Sequence, residues 1–370
     1  MMVAMYRSVM IKPASSACNL HCSYCFYLDE VANRQARAVR VMSEETARQT
    51  ISKFLEASDG VCFAFQGGEP TLAGTGFFRK FFSFVEQENR SHKTVTYALQ
   101  SNGYALPDGL IPLLKEHDVL VGISLDGPRQ LQDLHRRSPS GEPSFSNVRD
   151  TVRALENAGV AVNLLSVVTN ESAANADKLM RFYMDQGKRY LQFIPCLSPL
   201  REGEEHNPFL SPENYLIFLE QVWRYWYPRL GTPGAISVRL FDNWLAIAMG
   251  GHPEECGAIG ICSVEYVVEA DGSVYPCDFY CLDDYCLGTI ATQSVKELDA
   301  RRENIKFIPS SLTTAKECGG CPYLRYCGGG CRRYRTRAGR FVYCDVYRTF
   351  LNRHMTELQR SAAFFSQSTR

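Results

Sequence analysis

Three cysteines lie close together near the start of the chain, at a spacing that suits an iron–sulfur cluster. Cys18, Cys22 and Cys25 form a C-x3-C-x2-C pattern, and the next cysteine along the chain is Cys62. A structural zinc site takes four ligands and closes its coordination sphere. Three local thiolates instead suit a cubane cluster in which one iron keeps a position open for a reacting ligand. The alternative at this point is a zinc site whose fourth ligand is distant in sequence.

Most of the other cysteines lie in the C-terminal third. The chain has 15 cysteines, ten of them between residues 256 and 344. Residues 1–10 do not resemble a secretion signal, so we expect such clustering to reflect metal binding rather than a disulfide framework. Apart from Cys281 and Cys286, eight of these thiols would complete two four-cysteine sites for iron–sulfur clusters or, equally well, zinc. The eight are Cys256, Cys262, Cys277, Cys318, Cys321, Cys327, Cys331 and Cys344.

Alternating strands and helices are predicted to position this chemistry. Apolar, β-branched runs predict strands at 8–12, 61–65, 94–99, 120–125, 160–168 and 190–194. Helices are predicted between them near 43–57, 75–89, 108–117, 146–158 and 173–186. This alternation indicates a parallel sheet covered on both faces. The predicted fold class is α/β, a partial (β/α)6 TIM-like barrel followed by a cysteine-rich iron–sulfur domain, and an open doubly wound sheet is the alternative.

Polar and glycine residues follow the predicted strands. Gly67-Gly68-Glu69 comes after the second strand, Ser124 lies near the end of the fourth, Arg136 lies in a loop beyond it, and Leu197 follows the sixth. The carboxyl ends of parallel strands meet at one edge, where such folds build their sites. Adjacent glycines let the backbone approach a ligand closely, and Glu69 would place a carboxylate near an ammonium group. Each feature also has a structural interpretation, as a turn, a satisfied hydroxyl or a solvated arginine.

A second domain is predicted after Pro233-Gly234, which divides the chain into residues 1–235 and 236–370. Within the second part, residues 266–275 read as a hairpin that turns at Asp271-Gly272. The hairpin would bring Cys262 and Cys277 near each other. Asp278 follows directly, and from its position alone it reads as a turn residue.

The charge and hydropathy of the chain bound its partners and compartment. Forty basic residues balance forty acidic ones, which gives no whole-protein basis for binding nucleic acid or a membrane surface. The apolar runs are shorter than the ~20 residues that a membrane-spanning helix needs. We therefore predict a cytoplasmic protein without nucleic-acid or membrane partners.

Taken together, these motifs resemble a known family. The C-x3-C-x2-C pattern with an aromatic residue before its last cysteine, and the Gly-Gly-Glu-Pro turn, resemble the radical SAM superfamily. Cys262-x9-Gly272-x4-Cys277 and the C-x2-C-x5-C-x3-C run after it resemble the SPASM domain. Longer strings look like anaerobic sulfatase-maturating enzymes; they begin at Lys12-Pro, Cys25-Phe-Tyr, Phe63-Ala-Phe and Val274-Tyr-Pro.

The resemblance implies three [4Fe–4S] clusters and S-adenosylmethionine as cofactors. The catalytic cluster would be held by Cys18, Cys22 and Cys25. S-adenosylmethionine would be bound by residues of the predicted strand ends and the cysteine loop: Tyr24 and Leu197 at the adenine, Gly68 at the methionine amino group, Ser124 near the ribose and Arg136 at the carboxylate. One auxiliary cluster would be held by Cys256, Cys262, Cys277 and Cys331, and the other by Cys318, Cys321, Cys327 and Cys344. The sequence would equally allow Cys331 to join its near neighbours.

The resemblance also implies the reaction. A 5′-deoxyadenosyl radical would take a β-hydrogen from a Cys or Ser of a sulfatase, Asp278 would act as general base, and Cα-formylglycine would result. The partners would be an unfolded or nascent sulfatase segment and a one-electron donor such as flavodoxin or ferredoxin. Two other functions stay open: a SPASM maturase that forms thioether or carbon–carbon crosslinks in a ribosomal peptide, and a non-catalytic iron–sulfur electron carrier.

Overall fold

A computed structural model describes residues 6–35, 41–200, 209–312 and 314–368. Within these ranges the strands are β1 (Tyr6–Lys12), β2 (Gly60–Phe65), β3 (Thr94–Ser101), β4 (Leu120–Ser124), β5 (Val162–Val168), β6 (Tyr190–Pro195), β7 (Ser237–Val238), β8 (Glu265–Glu269), β9 (Ser273–Tyr275) and β10 (Gly288–Thr289).

The α-helices of the same ranges fall mainly between these strands and after the last one. They are α1 (Phe26–Ala32), α2 (Glu44–Glu56), α3 (Gly74–Glu88), α4 (Leu110–Glu116), α5 (Arg129–His135), α6 (Phe145–Asn157), α7 (Asn170–Ala174), α8 (Ala176–Asp185), α9 (Pro212–Trp226), α10 (Arg239–Ala248), α11 (Cys256–Ile259), α12 (Val295–Asn304), α13 (Phe307–Ser311), α14 (Leu324–Cys327) and α15 (Cys344–Ser368).

The chain divides into two compact units, of which the first comprises residues 1–125, 133–163 and 264–307. Its strands β1 to β4 pair in parallel and in chain order. On its other side, β1 pairs in parallel with β8, and Lys12 stands opposite Glu269 in the register. The hairpin of β8 and β9 is antiparallel, as predicted, and β10 pairs with β9. Strand β1 is therefore central, and its direct neighbour β8 leads through the hairpin and β9 to the residues that follow.

Alternating apolar residues explain how this unit folds. Val9, Ile11, Val61 and Phe63 are fully buried in the two central strands, and burial of side chains of this size stabilises the fold by about 1.5–3 kcal/mol each. Helix α2 begins where predicted, because the Ser43 side chain accepts a hydrogen bond from the backbone N–H of Thr46.

The second unit comprises residues 126–132, 164–263 and 308–370. Its strands β5, β6 and β7 are parallel neighbours in that order. Helix α9 buries Trp226 completely, and the Trp226 ring lies 5.4 Å from the ring of Phe241 on α10. Phe241 in turn stacks on Phe350 of α15 at 5.6 Å. The unit is thus held by a core of large aromatic side chains.

Most of the predicted elements lie where the sequence places them. The six predicted strands correspond to β1 to β6 within a few residues, and four predicted helices correspond to α2, α3, α4 and α6. The helix predicted at 173–186 is two helices, α7 and α8, because Asn175 ends the first and precedes the second. Two features were not predicted from the sequence: helix α1, which follows the Cys18–Cys25 loop, and the parallel pairing of β8 with β1.

Candidate active site

The loop after β2 lies directly against the loop after β1. The backbone N–H of Gly68 donates to the Ser15 carbonyl at 2.8 Å, and that of Glu69 donates to the Ala17 carbonyl at 2.8 Å. A Cβ atom at Gly68 would lie 2.3 Å from the Ala17 carbonyl oxygen. Since real Cβ atoms do not approach backbone this closely, position 68 requires glycine. The Gly-Gly pair therefore packs two loops together at the carboxyl ends of their strands.

The Glu69 carboxylate is fully buried and receives four hydrogen bonds. Its Oε1 accepts from the N–H and the hydroxyl of Thr71, at 3.0 and 2.6 Å, and from the Ser101 hydroxyl at 3.0 Å. Its Oε2 accepts from the N–H of Asn102 at 2.7 Å. Burial raises the pKa of Glu69, and these donors oppose that rise. The structure thus gives this carboxylate a different role from the ammonium contact expected from the sequence: it joins the ends of β2 and β3.

We expect Glu69→Ala to lower the free energy of unfolding by about 3 kcal/mol, because it leaves buried donors of Thr71, Ser101 and Asn102 without an acceptor. Urea denaturation followed under anaerobic conditions measures this difference. Glu116→Ala, at an exposed position of α4, is the matched control and should change stability by less than about 0.5 kcal/mol. Equal stability of the two variants would show that the Glu69 hydrogen bonds do not hold the strand ends together.

Two of the three N-terminal thiols have hydrogen-bond donors directed at sulfur. Cys18 Sγ accepts from the backbone N–H of Leu20 and from the side-chain amide of Asn102, each at 3.4 Å. The Arg136 guanidinium lies 3.9 Å from Cys22 Sγ. Donors and a cation around sulfur stabilise thiolates, and in iron–sulfur proteins such contacts tune the cluster. This donor set fits a cluster on the cysteine loop.

The cysteine loop is also tied to the segment that carries Arg136. Ser23 donates its N–H to the His135 carbonyl at 3.1 Å, and its hydroxyl lies 2.7 Å from His135 Nδ1. The guanidinium carbon of Arg136 lies 5.5 Å from the centre of the Tyr24 ring. Tyr24, Cys22 and Arg136 are therefore close to one another. Ser124, another residue predicted to contact the ligand, is buried, and its hydroxyl accepts a hydrogen bond from the side-chain amide of Gln100 at 3.2 Å.

Leu197 is the predicted contact that falls in the second unit. It follows β6 and is partly buried. Its backbone carbonyl lies 3.7 Å from the thiol of its neighbour Cys196, which is buried. Burial raises the pKa of Cys196 to about 12, so this thiol is a neutral packing group.

Asp278 is the centre of a buried polar network within the first unit. It is 7% exposed, and its Oδ2 accepts from the Tyr27 hydroxyl at 2.6 Å and from the Gln66 amide at 3.0 Å. Its Oδ1 lies 2.9 Å from Lys12 Nζ. Burial and the Asp278 carboxylate raise the pKa of Tyr27, which keeps this phenol a donor. Asp278, whose sequence position suggested a turn residue, is thus a carboxylate bound by three side chains, from β1, α1 and the end of β2.

Four C-terminal cysteines line one cavity of the second unit, and it is also lined by Phe341, Tyr347 and Gly329. The four are Cys318, Cys321, Cys327 and Cys344. Burial raises the pKa of the Cys327 thiol to about 11. In the part of the chain that the structure describes, no three Cys, His, Asp or Glu side chains converge as ligands of a single ion. Thiols around a cavity fit an inorganic cluster better than one zinc ion.

The remaining predicted metal ligands lie in both units. In the second unit, a Cβ atom at Gly257 would lie 3.4 Å from Cys331 Cβ, so the turn that begins at Cys256 packs against Cys331. Cys262 donates its N–H to Ser311 at 2.9 Å. Cys277 precedes Asp278 in the first unit. Cys331 does not line the cavity of the other four cysteines.

Comparisons with known proteins decide between the interpretations left open by the sequence. Residues 13–183 match the Radical SAM superfamily, and residues 261–322 match SPASM, an iron–sulfur cluster-binding domain. The chain is 37% identical to a cysteine-type anaerobic sulfatase-maturating enzyme of Clostridium novyi over 95% of its own length and 96% of that protein. The chain belongs to the anaerobic sulfatase-maturating enzyme family. It is also 30% identical to a serine-type member from Bacteroides thetaiotaomicron, over 88% of this chain and 83% of the relative.

A solved structure of this family has the same fold. The structure, described as native anSMEcpe with bound AdoMet and Kp18Cys peptide, matches with a TM-score of 0.90 and 36% identity over 97% of this chain and 99% of that one. The predicted α/β class, a partial barrel followed by a SPASM domain, is thereby confirmed. No helix in the described ranges is both long enough and apolar enough to span a bilayer.

Membership in the anaerobic sulfatase-maturating enzymes makes the chain a radical SAM enzyme. Its cofactors are S-adenosylmethionine and three [4Fe–4S] clusters, as predicted. The zinc alternatives and the non-catalytic electron carrier are therefore wrong. The structure adds Lys12, Tyr27 and Gln66 to the site; they lie in the strings that begin at Lys12-Pro, Cys25-Phe-Tyr and Phe63-Ala-Phe, and no role of their own was predicted for them. A lysine at the end of an otherwise apolar buried strand is the one signal that could have singled out Lys12.

Proposed function

We propose that this enzyme oxidises a cysteine side chain in a sulfatase polypeptide to Cα-formylglycine. The observation that carries the proposal is Asp278, a carboxylate held by Lys12, Tyr27 and Gln66 beside the cysteine loop. A proton acceptor fixed in this way is what removal of a substrate thiol proton requires. The preference for cysteine over serine is supported by 37% identity to a cysteine-type relative against 30% to a serine-type relative.

The first cluster would be held by Cys18, Cys22 and Cys25, and S-adenosylmethionine by Tyr24, Gly68, Ser124, Arg136 and Leu197. When bound, cluster and S-adenosylmethionine supply a 5′-deoxyadenosyl radical that takes hydrogen from the substrate. An ammonium group needs an acceptor, and the group that Gly68 can offer is its backbone carbonyl, since its N–H is a donor and binds the Ser15 carbonyl. The positions of Tyr24 and Arg136 next to Cys22 support their assignment to the same ligand.

The two auxiliary clusters would have the interleaved ligands implied by the resemblance. The cavity lined by Cys318, Cys321, Cys327 and Cys344 supports one set. The packing of the Cys256 turn against Cys331 supports the other set, which Cys262 and Cys277 would complete. Such clusters supply an acceptor for the electron that the substrate loses.

The decisive experiment is the mass of a cysteine-containing sulfatase peptide after anaerobic turnover with S-adenosylmethionine and a reductant. Conversion of cysteine to formylglycine lowers the peptide mass by ~18 Da, since an aldehyde oxygen replaces SH and H. A thioether crosslink, which a peptide maturase would form, lowers it by ~2 Da. A peptide with serine at the same position is the matched control and should react more slowly. A mass change of ~2 Da with the cysteine peptide would overturn the proposed function.

The cellular setting is part of the same proposal. The enzyme would act in the cytoplasm on an unfolded or nascent sulfatase segment, without nucleic-acid or membrane partners. It would receive electrons from a donor such as flavodoxin or ferredoxin. The division into domains at residues 1–235 and 236–370 also stays a prediction.

A further inference from the structure

The Lys12 ammonium group lies close to three buried carboxylates, which come from separate elements of the first unit. It is 1% exposed, and its Nζ lies 2.9 Å from Asp278, 3.5 Å from Glu269 on β8 and 3.9 Å from Glu30 on α1. The parallel pairing of β1 with β8 places Lys12 opposite Glu269, and the hairpin returns the chain to Asp278. A single ammonium group is therefore the shared cationic neighbour of three acidic side chains.

The charges of this network do not balance if all three acids are ionised. Only one further cation reaches it, among the described residues: Arg34 lies 2.9 Å from Glu269 Oε1. Two cations against three carboxylates would leave a net negative charge in a place where each carboxylate is almost fully buried. An uncompensated buried charge is costly, and a buried acid avoids that cost by holding its proton. One of the three acids should therefore be neutral.

The contacts single out Glu30 as that acid. Glu269 has both cations within 3.5 Å, and Asp278 has Lys12 together with two side-chain donors. Glu30 has the longest distance to Lys12, and its carboxylate accepts a long hydrogen bond, 3.4 Å, from the backbone N–H of Cys281. Burial raises the pKa of Glu30 to about 8; Lys12 and Arg34 oppose this rise, and Asp278 adds to it.

We propose that Glu30 is a positioning residue that holds a proton in the resting enzyme and so leaves the charge of Lys12 to Asp278 and Glu269. Asp278 Oδ1 accepts no hydrogen bond from the described residues, so its attachment on that side depends on the ion pair with Lys12. If Glu30 loses its proton, it competes for the same ammonium group and weakens the hold on Asp278. The groups that face Glu30 from the surrounding elements are Lys12, Arg34, Asp278 and the Cys281 thiol, which is 3.2 Å from Lys12 Nζ; Glu269 shares Lys12 with it.

The proton on Glu30 can be observed without turnover by infrared spectroscopy of the cluster-loaded enzyme. The wild-type minus Glu30→Gln difference spectrum should contain a carboxylic acid C=O band at pH 7 that disappears as the pH rises through about 8. The matched difference spectrum for Glu116→Gln, on the exposed side of α4, should contain carboxylate bands and the amide bands of glutamine but no carboxylic acid C=O band. A Glu30 difference spectrum at pH 7 with carboxylate bands in place of the carboxylic acid band would overturn the proposal.

The effect on Asp278 rests on the proposed function and is tested separately. Wild-type formylglycine formation per 5′-deoxyadenosine should fall about tenfold or more above pH 8, because a displaced base loses rate steeply with distance. Glu30→Gln should keep its yield constant over the same range, since glutamine does not ionise. An equal alkaline loss in both enzymes would refute the positioning role even if the infrared band is present. Absence of formylglycine at every pH with the band intact would instead contradict the proposed function.

Discussion

Asp278→Asn should stop formylglycine formation while S-adenosylmethionine is still cleaved to 5′-deoxyadenosine. Loss of a positioned general base costs about 10²–10⁴-fold in rate. The amide is nearly the same size as the carboxylate, so the network around Lys12, Tyr27 and Gln66 keeps its packing. It has no capacity to take a proton, although its one oxygen can still accept from both Tyr27 and Gln66, which share Oδ2 of the carboxylate.

This prediction is measured as two products of one anaerobic reaction, formylglycine by peptide mass and 5′-deoxyadenosine by chromatography. The ratio of formylglycine to 5′-deoxyadenosine should fall by at least about 100-fold relative to wild type. Iron content should be unchanged, since Asp278 is not among the proposed ligands. Asp284→Asn, an exposed aspartate of the same segment, is the matched control and should keep the wild-type ratio. A wild-type ratio in Asp278→Asn would remove Asp278 from the role of base.

The sequence could predict the elements because their signals are local. The apolar runs of β1 and β2 and the helical pattern of α2 depend on residues a few positions apart, and these elements lie where the sequence predicts them. The cysteine spacing is equally local, and it indicated metal binding before any fold was known. Such patterns predict the type of element and the presence of a metal site, because both depend on short-range spacing; the choice of iron–sulfur clusters over zinc came from the family.

The network around Asp278 could not be predicted in the same way. It exists because β8 pairs with β1 across more than 250 residues of sequence, which brings Glu269 opposite Lys12. Nothing in the local pattern of either strand specifies that partner. The same holds for Glu69, since its sequence neighbours suggested a ligand contact, whereas its partners at the end of β3 and just after it are set by tertiary structure. Side-chain roles that depend on long-range strand pairing can be assigned only when the fold is known.

Cys22→Ala is expected to abolish cleavage of S-adenosylmethionine altogether. Cys18, Cys22 and Cys25 would supply all the protein ligands of the first cluster, so removal of one thiolate leaves a cluster with two. The substitution also leaves the Arg136 guanidinium, 3.9 Å from the Cys22 sulfur, without its anionic neighbour. Neither a stable cluster nor a correctly placed open iron should remain, and 5′-deoxyadenosine should fall below detection with or without peptide.

The iron content of the purified variant distinguishes a specific loss of the first cluster from general unfolding. The Cys22→Ala enzyme should contain about four fewer iron atoms per chain than wild type, because the proposed auxiliary ligands are untouched. Cys62→Ala is the matched control: it also removes one partly buried thiol, on β2, and should retain full iron and full cleavage. If Cys22→Ala still forms 5′-deoxyadenosine, the assignment of the first cluster to these three thiols is wrong. Because hydrogen abstraction depends on that cleavage, every other prediction about turnover depends on this result.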